Sequence, residues 1–175
     1  MKISETLLPE FDHEMANTRK ALERVPFDKL SWKPHPKSMT LETLAVHIAT
    51  MPEWAGVTLK EDAFDYAPPG GQPYKAPTFG SQKELLDAFD KGVAETRSAL
   101  AAADDSQMMA PWTLKAGGQA LFTMPRVAVI RSFVMNHTIH HRGQLSAYIR
   151  AMGGKVPAIY GESYDSAEAK KAAQA

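Results

Sequence analysis

Four segments of the chain repeat apolar residues every three or four positions, and this spacing predicts four amphipathic α-helices. The first is predicted over Ser4 to about Arg24, and the second begins after Thr40, which can cap it. The capping-box pattern Ser81-Gln82-Lys83-Glu84 opens the third, and the fourth is predicted from Met124 to Met152. Because each helix must bury its apolar stripe against its neighbours, the pattern favours a four-helix bundle.

The segments between the helices indicate how the helices are joined. Lys60–Gly80 holds four prolines and three glycines, which predicts a long irregular connection between the second and third helices. A connection of this length can run the height of a bundle, so the helices it joins can lie parallel. Two short β-prone runs around a Gly-Gly predict a small hairpin over Trp112–Thr123, before the fourth helix. Pro52 is expected to kink or split the second helix.

Length and charge exclude several classes of protein. The 175 residues predict one domain over residues 1–165, followed by an Ala/Lys-rich tail, residues 166–175, that is either flexible or a loose last helical turn. Twenty basic and twenty acidic residues cancel, which disfavours nucleic-acid binding. The sequence has no apolar run long enough for a membrane span and no signal-peptide pattern, so we expect a cytoplasmic protein that binds no membrane.

The chain has no cysteine, so any site chemistry depends on histidine, aspartate and glutamate. His137 and His141 both interrupt the apolar stripe of the fourth helix. At about 100° per residue they lie about 40° apart, on the side of the helix that Ile130 and Val134 also occupy. Two imidazoles therefore project where a core leucine would normally project, at a spacing that allows both to bind one metal ion.

A third histidine, His47, is embedded in the inward stripe of the second helix, between Leu44 and Met51. Each histidine alone has a plain explanation as a hydrogen-bonded core residue. Burying three neutral imidazoles together requires several partners at once, whereas one divalent cation satisfies all three. Three protein ligands also leave a coordination position open, which is typical of catalytic zinc. The spacing therefore predicts a metal site.

Four neighbouring residues on the fourth helix have open roles. Gln144 shares the face of the histidines. It is expected to hydrogen-bond a metal ligand or to contact a substrate, and the alternative is a polar residue at the core rim. His140 lies off the stripe, which favours a surface residue over a proton shuttle. Arg142 is expected to form an ion pair with another helix. Gly143 is expected to allow close approach of another backbone or of a subunit.

The sequence resembles the DinB/YfiT-like superfamily of metal-binding four-helix bundles. The resemblance lies in Leu30-Ser31-Trp32-Lys33-Pro34, in Ser38–Ile48 and in the motif Asn136–Leu145, which is the most specific of the three. In that superfamily the ligands are a histidine of the second helix and the first and last histidines of an H-x-x-x-H motif. The resemblance therefore implies His47, His137 and His141 as ligands, an all-α up-down-down-up four-helix bundle and frequent homodimers.

Three functions are compatible with such a site. The first is a metal-dependent thiol S-transferase, in which the metal activates a low-molecular-weight thiol towards a small-molecule electrophile, as in characterised members of the superfamily. The second is a metal-dependent hydrolase that uses a metal-bound water, although no His-Glu-x-x-His motif is present and peptide hydrolysis is disfavoured. The third is a non-catalytic metal-binding stress-response protein. Imidazoles suit zinc, nickel or copper, and zinc and nickel are favoured.

Overall fold

In a computed structural model of the protein, which describes residues 2–174, helices form most of the chain. Met1 and Ala175, the outer residues of the predicted domain and the predicted tail, lie outside the described residues. The helices before the hairpin are α1 (Ile3–Leu22), α2 (Leu41–Lys60), α3 (Gln82–Ala102) and the short α4 (Asp105–Met109), with a 3₁₀ turn at Phe27–Lys29. A last helix, α7, spans Tyr164–Gln174.

The fourth predicted helix contains a segment that the sequence did not reveal. It consists of α5 (Arg126–Val129), a π-helical segment (Ile130–Asn136) and α6 (His137–Ala151). Its ends agree with the predicted Met124–Met152 to within two residues. In a π-helix each backbone N–H bonds to the carbonyl five residues back rather than four, a rare arrangement that often occurs at functional sites. Here the π segment ends where His137 begins α6.

Both predicted helix caps are confirmed. The Thr40 hydroxyl accepts a hydrogen bond from the backbone N–H of Thr43 at 3.1 Å, and the Ser81 hydroxyl accepts one from Glu84 at 3.2 Å. The predicted split of the second helix at Pro52 is wrong, because α2 continues through this residue, and the alternative of a kink stays a prediction. Pro52 is buried against α3, and its carbonyl accepts a hydrogen bond from the Thr96 hydroxyl at 2.6 Å.

The all-α prediction needs one correction, because the chain also forms a small three-stranded sheet. Strands β2 (Pro111–Ala116) and β3 (Gln119–Pro125) pair antiparallel, which confirms the predicted hairpin. Its turn residues Gly117 and Gly118 both have positive φ angles, of 60° and 79°, which glycine adopts without strain. The third strand, β1 (Ala63–Asp65), lies in the long connection and pairs parallel with β2. Its partner is distant in sequence, so no local pattern predicted it.

Contacts at the helix ends establish the relative directions of the long helices. The Ser4 hydroxyl at the start of α1 donates to the Ala103 carbonyl at the end of α3, while Gln82 at the start of α3 donates to the Glu23 carbonyl at the end of α1. These two helices are therefore antiparallel. In α2 and α3, the Thr96 hydroxyl reaches Pro52, and a Cβ at Gly92 would lie 3.1 Å from Glu53, so these helices pack closely.

The apolar core lies between these helices and includes Phe11, Leu44, Ile48, Phe89, Ile130 and Leu145. None of the helices within residues 2–174 is both long enough and apolar enough to cross a membrane.

Candidate metal centre

The three histidines predicted as metal ligands lie together between α2 and α6. His47 is in the first half of α2, while His137 and His141 are one turn apart at the start of α6. His141 is buried and the other two are half-buried, so the group is at the edge of the core rather than on the surface. The helical periodicity therefore predicted which side of each helix these imidazoles occupy.

The Nε2 atoms of the three rings converge. Nε2 of His137 lies 2.8 Å from Nε2 of His141 and 3.4 Å from Nε2 of His47. One ligand atom from each residue lies within 4.8 Å of the others, so the group could hold a metal ion. Two imidazole nitrogens at 2.8 Å need a proton or a cation between their lone pairs. With Zn–N bonds of about 2.0–2.1 Å, tetrahedral ligands lie roughly 3.3 Å apart. The 3.4 Å separation matches this spacing, whereas the 2.8 Å separation is that of a hydrogen bond and would widen by about 0.5 Å around a bound cation.

Gln144 determines which nitrogen of His141 is free. Its Oε1 lies 2.7 Å from Nδ1 of His141. Because a carbonyl oxygen only accepts hydrogen bonds, Nδ1 of His141 carries the proton and donates it. The Nε2 lone pair is then directed to the centre of the group. Histidines that bind metals usually have such a hydrogen bond on their second nitrogen, so the donor set fits a cation in this respect as well.

The environment keeps the three imidazoles neutral. Burial, together with smaller contributions from the neighbouring His141 and His137, lowers the pKa of His47 to about 4. Burial also lowers the pKa of His137, and His141 adds to this effect, while the backbone of Phe133 opposes it. For His141, burial lowers the pKa despite the opposing hydrogen bond to Gln144. At neutral pH all three rings therefore have lone pairs available for a cation.

These shifts predict that the metal-free protein loses stability in acid. The histidine pKa is about 6.5 in the unfolded chain and about 4 for folded His47. Between these pH values His47 is protonated in the unfolded chain but stays neutral in the folded protein. The free energy of unfolding therefore falls as pH decreases from about 6.5 to about 4. Urea midpoints of metal-free protein across this range should show the decline, and His47→Gln should reduce it. His13→Gln, which alters an exposed histidine of α1, should leave it unchanged.

Replacing Gln144 tests its effect on His141. In Gln144→Leu, Nδ1 of His141 loses its acceptor and the ring can turn or change tautomer, so we expect zinc affinity to fall by about tenfold or more. Gln144→Glu, which keeps an acceptor oxygen, should retain most of the affinity. Competition with a chromophoric chelator measures both values. Equal affinities in the leucine variant and the unmodified protein would show that the hydrogen bond does not orient the ligand.

The other predicted residues of this helix do not join the three converging nitrogens, although the ring of His140 lies 5.0 Å from that of His141. His140 is exposed, as expected for a surface residue. Arg142 is buried and forms an ion pair with Glu14 of α1 at 2.7 Å, which confirms the predicted pair with another helix. A Cβ at Gly143 would meet no atom within 4 Å among the described residues. The expected close approach by a backbone of this chain is therefore wrong, and approach of a second subunit stays a prediction.

Two cavities border the histidine centre, and sequence reasoning missed most of their walls. The first, of about 240 Å³, lies between α2, the hairpin and the π segment, and both His47 and His137 line it. The second, of about 550 Å³, lies between the first half of α2 and the long connection, and His47 lines it as well. The residues that close the first cavity opposite α2 are Trp112, Leu114, Phe122, Val129, Phe133 and Val134. A hairpin was predicted, but no sequence signal placed its aromatic residues beside His137.

Comparisons with known proteins agree with this architecture. The model of the DinB family matches residues 1–173. A crystal structure of a DinB-like protein from Bacillus cereus ATCC 10987 is similar to the chain with a TM-score of 0.68 and 26% identity, covering 91% of this chain and 98% of that one. For the DinB-like protein YjoA of Bacillus subtilis the TM-score is 0.67 and the identity 22%, over 90% and 99% of the two chains. None of the curated proteins matches the chain.

Proposed function

Because the chain belongs to the DinB family, with three histidines that could hold a metal ion, we propose that it is a divalent-metal-dependent thiol S-transferase. His47, His137 and His141 are the proposed ligands through their Nε2 atoms, and zinc or nickel is the proposed ion. Gln144 is proposed to hold His141 in the tautomer that binds the ion. A bound divalent cation would lower the pKa of a thiol at this centre and favour the thiolate.

The observation that carries this proposal is the position of His47 between two cavities. A transferase brings two reactants to one centre, whereas a hydrolase needs space for one substrate and water. The two cavities differ in chemistry. Apart from histidine, the smaller one is lined almost entirely by apolar and aromatic side chains, while Glu42, Thr43, Thr50 and two tyrosines contribute polar groups to the larger one. This difference supports two chemically different reactants.

The residues of the centre also favour a nucleophile brought by a second molecule. The three imidazoles have lowered pKa values, so they are poor proton carriers at neutral pH. Of the two glutamates of α2, Glu53 is exposed, lies beside Gly92 of α3 and lines neither cavity, whereas Glu42 lines the larger cavity that is proposed for the thiol. In the proposed reaction the thiol loses its proton to solvent and its sulfur forms a bond to the electrophilic carbon. The bond from that carbon to the leaving group breaks, and its electron pair departs with the leaving group.

A direct assay separates the candidate functions. Tag-free protein loaded with zinc or nickel is incubated with benzyl chloride in the presence and absence of 2-mercaptoethanol, and uncatalysed rates are subtracted. We expect faster loss of benzyl chloride only when the thiol is present, and His137→Ala should abolish the increase. Thiol-independent loss would instead support a metal-dependent hydrolase. No acceleration with either metal, or with any thiol of a small panel, would contradict an enzymatic function and favour a binding protein in which the ion joins the helices.

We also propose that the four long helical segments form an up-down-down-up bundle. The contacts between α1 and α3 are antiparallel, as this arrangement requires. Along α2, Glu53 lies beside Gly92 of α3, and Gly56 lies beside Thr96. Both helices therefore run in the same direction, which supports the arrangement. Spin labels at exposed positions of the helices can test it. If α2 and α3 are parallel, a pair at positions 43 and 83 should be closer than a pair at 43 and 101 by about 20 Å, given the rise of an α-helix. The opposite order would contradict the arrangement.

A further inference from the structure

The smaller cavity has an apolar interior with a polar end. Its wall includes side chains of α2, both strands of the hairpin and the π segment. Among the described lining residues, Thr58 is the one with a hydroxyl group. This hydroxyl donates to the Trp54 carbonyl at 2.7 Å. That hydroxyl proton is therefore already engaged. The polar groups that a ligand in this cavity could reach are concentrated at the histidine end.

The aromatic rings of the hairpin and the π segment stack to form one side of the cavity. Phe122 of β3 and Phe133 of the π segment are stacked, with ring centroids 4.4 Å apart and an angle of 27° between their planes. Trp112 of β2 lies 6.3 Å from Phe122, also between centroids. This wall offers flat apolar surfaces, which favour an aromatic or aliphatic ligand.

Size and charge restrict the class of ligand further. An apolar cavity of about 150 Å³ can bind benzene, so a cavity of about 240 Å³ suits a ligand of about ten non-hydrogen atoms. A charged group in this lining would lose its hydration without gaining a partner, which disfavours carboxylates and phosphates. The ligand is therefore expected to be uncharged in the part that enters the cavity.

One buried donor on this wall has no partner. The indole N–H of Trp112 has no hydrogen-bond acceptor among the described residues, although the side chain is 2% exposed. Leaving a buried donor unpaired costs free energy. Because the nitrogen itself has almost no accessible surface, an acceptor on a ligand would reach this N–H only after the indole ring moved.

We propose that this cavity binds the electrophilic substrate, an uncharged aromatic or aliphatic compound of about ten non-hydrogen atoms, with its reacting carbon at the His47–His137 end. The assignment of this ligand as the electrophile rests on the proposed transferase function. The larger cavity on the other side of His47 then remains free for the thiol, so the two reactants meet at the histidine centre from different sides.

The test measures binding of two unreactive ligands that differ in charge. Benzyl alcohol has the ring and the CH₂ group of a benzyl electrophile, and 4-(hydroxymethyl)benzoate adds a carboxylate to the same skeleton. Ligand-detected NMR and calorimetry on both metal-free and zinc-loaded protein should give a Kd of about 1 mM or tighter for benzyl alcohol. We expect binding of the benzoate to be at least about tenfold weaker. Equal binding of the two ligands, or no binding of benzyl alcohol, would overturn the proposal.

A matched pair of substitutions in the hairpin locates the ligand. Leu114 of β2 lines the cavity, whereas Leu121 of β3 is 54% exposed and is not among its lining residues. Leu114→Trp should fill the cavity and weaken benzyl alcohol binding at least about tenfold, and Leu121→Trp should not change it. If Leu114→Trp fails to fold, the comparison of the two ligands on the unmodified protein still decides the proposal.

The outcomes distinguish this proposal from the proposed function. Selective binding of benzyl alcohol that Leu114→Trp removes, without any thiol-dependent turnover of benzyl chloride, would leave an apolar ligand site but contradict the transferase. Thiol-dependent turnover that Leu114→Trp leaves unchanged would support the transferase and place the electrophile elsewhere. Loss of both binding and turnover in Leu114→Trp, with both intact in Leu121→Trp, is the expected result.

Discussion

His137→Ala is expected to weaken zinc binding by more than about 100-fold, because this residue supplies the central nitrogen of the group. Its Nε2 is within 3.4 Å of both other Nε2 atoms, so its removal leaves two ligands that no longer surround an ion. Loss of a ligand should exceed the loss of about 10–100-fold that is usual when a hydrogen-bond partner of a ligand is removed. Metal content of tag-free protein and chelator competition measure the effect.

A matched variant shows whether the effect belongs to the site. His13→Ala removes an exposed histidine of α1 and should leave zinc affinity unchanged. Zinc should also raise the melting temperature of the unmodified protein and of His13→Ala, since a ligand that binds only the folded state stabilises it, but not that of His137→Ala. One equivalent of tightly bound zinc in His137→Ala would show that the three histidines do not form the site.

The second large effect concerns stability. Arg142→Met and Glu14→Gln should each lower the free energy of unfolding by about 3–5 kcal/mol, because each leaves its partner buried without a counter-charge. Both residues are at most 5% exposed. Tyr160 adds a third member, since it accepts a hydrogen bond from Arg142 at 2.6 Å and donates one to Glu14 at 2.7 Å. Urea unfolding of the two variants measures the change.

The double variant Glu14→Leu/Arg142→Met provides the control for buried charge. It removes both ions together, so it should be more stable than either single variant. Arg97→Met, which breaks an exposed pair with Asp12, should change stability little. If the double variant is as unstable as the sum of the two single variants, lost packing rather than an unpaired charge accounts for the effect.

Helical periodicity was sufficient to find the histidine centre and insufficient to find its surroundings. His47 and His141 occupy inward positions of regular helix, so a constant angle per residue predicts which way they face. The caps at Thr40 and Ser81 were predictable for the same local reason, since a hydroxyl and a backbone N–H three residues apart determine them.

Other features depend on contacts between distant parts of the chain. Strand β1 has three residues in a segment rich in proline and glycine, and its partner β2 lies about fifty residues further on, so pairing rather than local propensity creates it. The π segment has no recognised sequence signature. The position of Phe133 on the cavity wall, which depends on that segment, could therefore not be predicted, and neither could the partner of Arg142.

The three imidazoles belong to helices, whereas much of the wall opposite them belongs to a hairpin with a short glycine turn. If the proposed function is correct, reactivity and selectivity are encoded in separate stretches of the gene. Five of the seven residues of β3 are exposed, whereas Trp112 of β2 is buried and is best retained. Libraries randomised over residues 113–124 are therefore a practical way to vary the wall of the proposed ligand cavity without rebuilding the histidine centre.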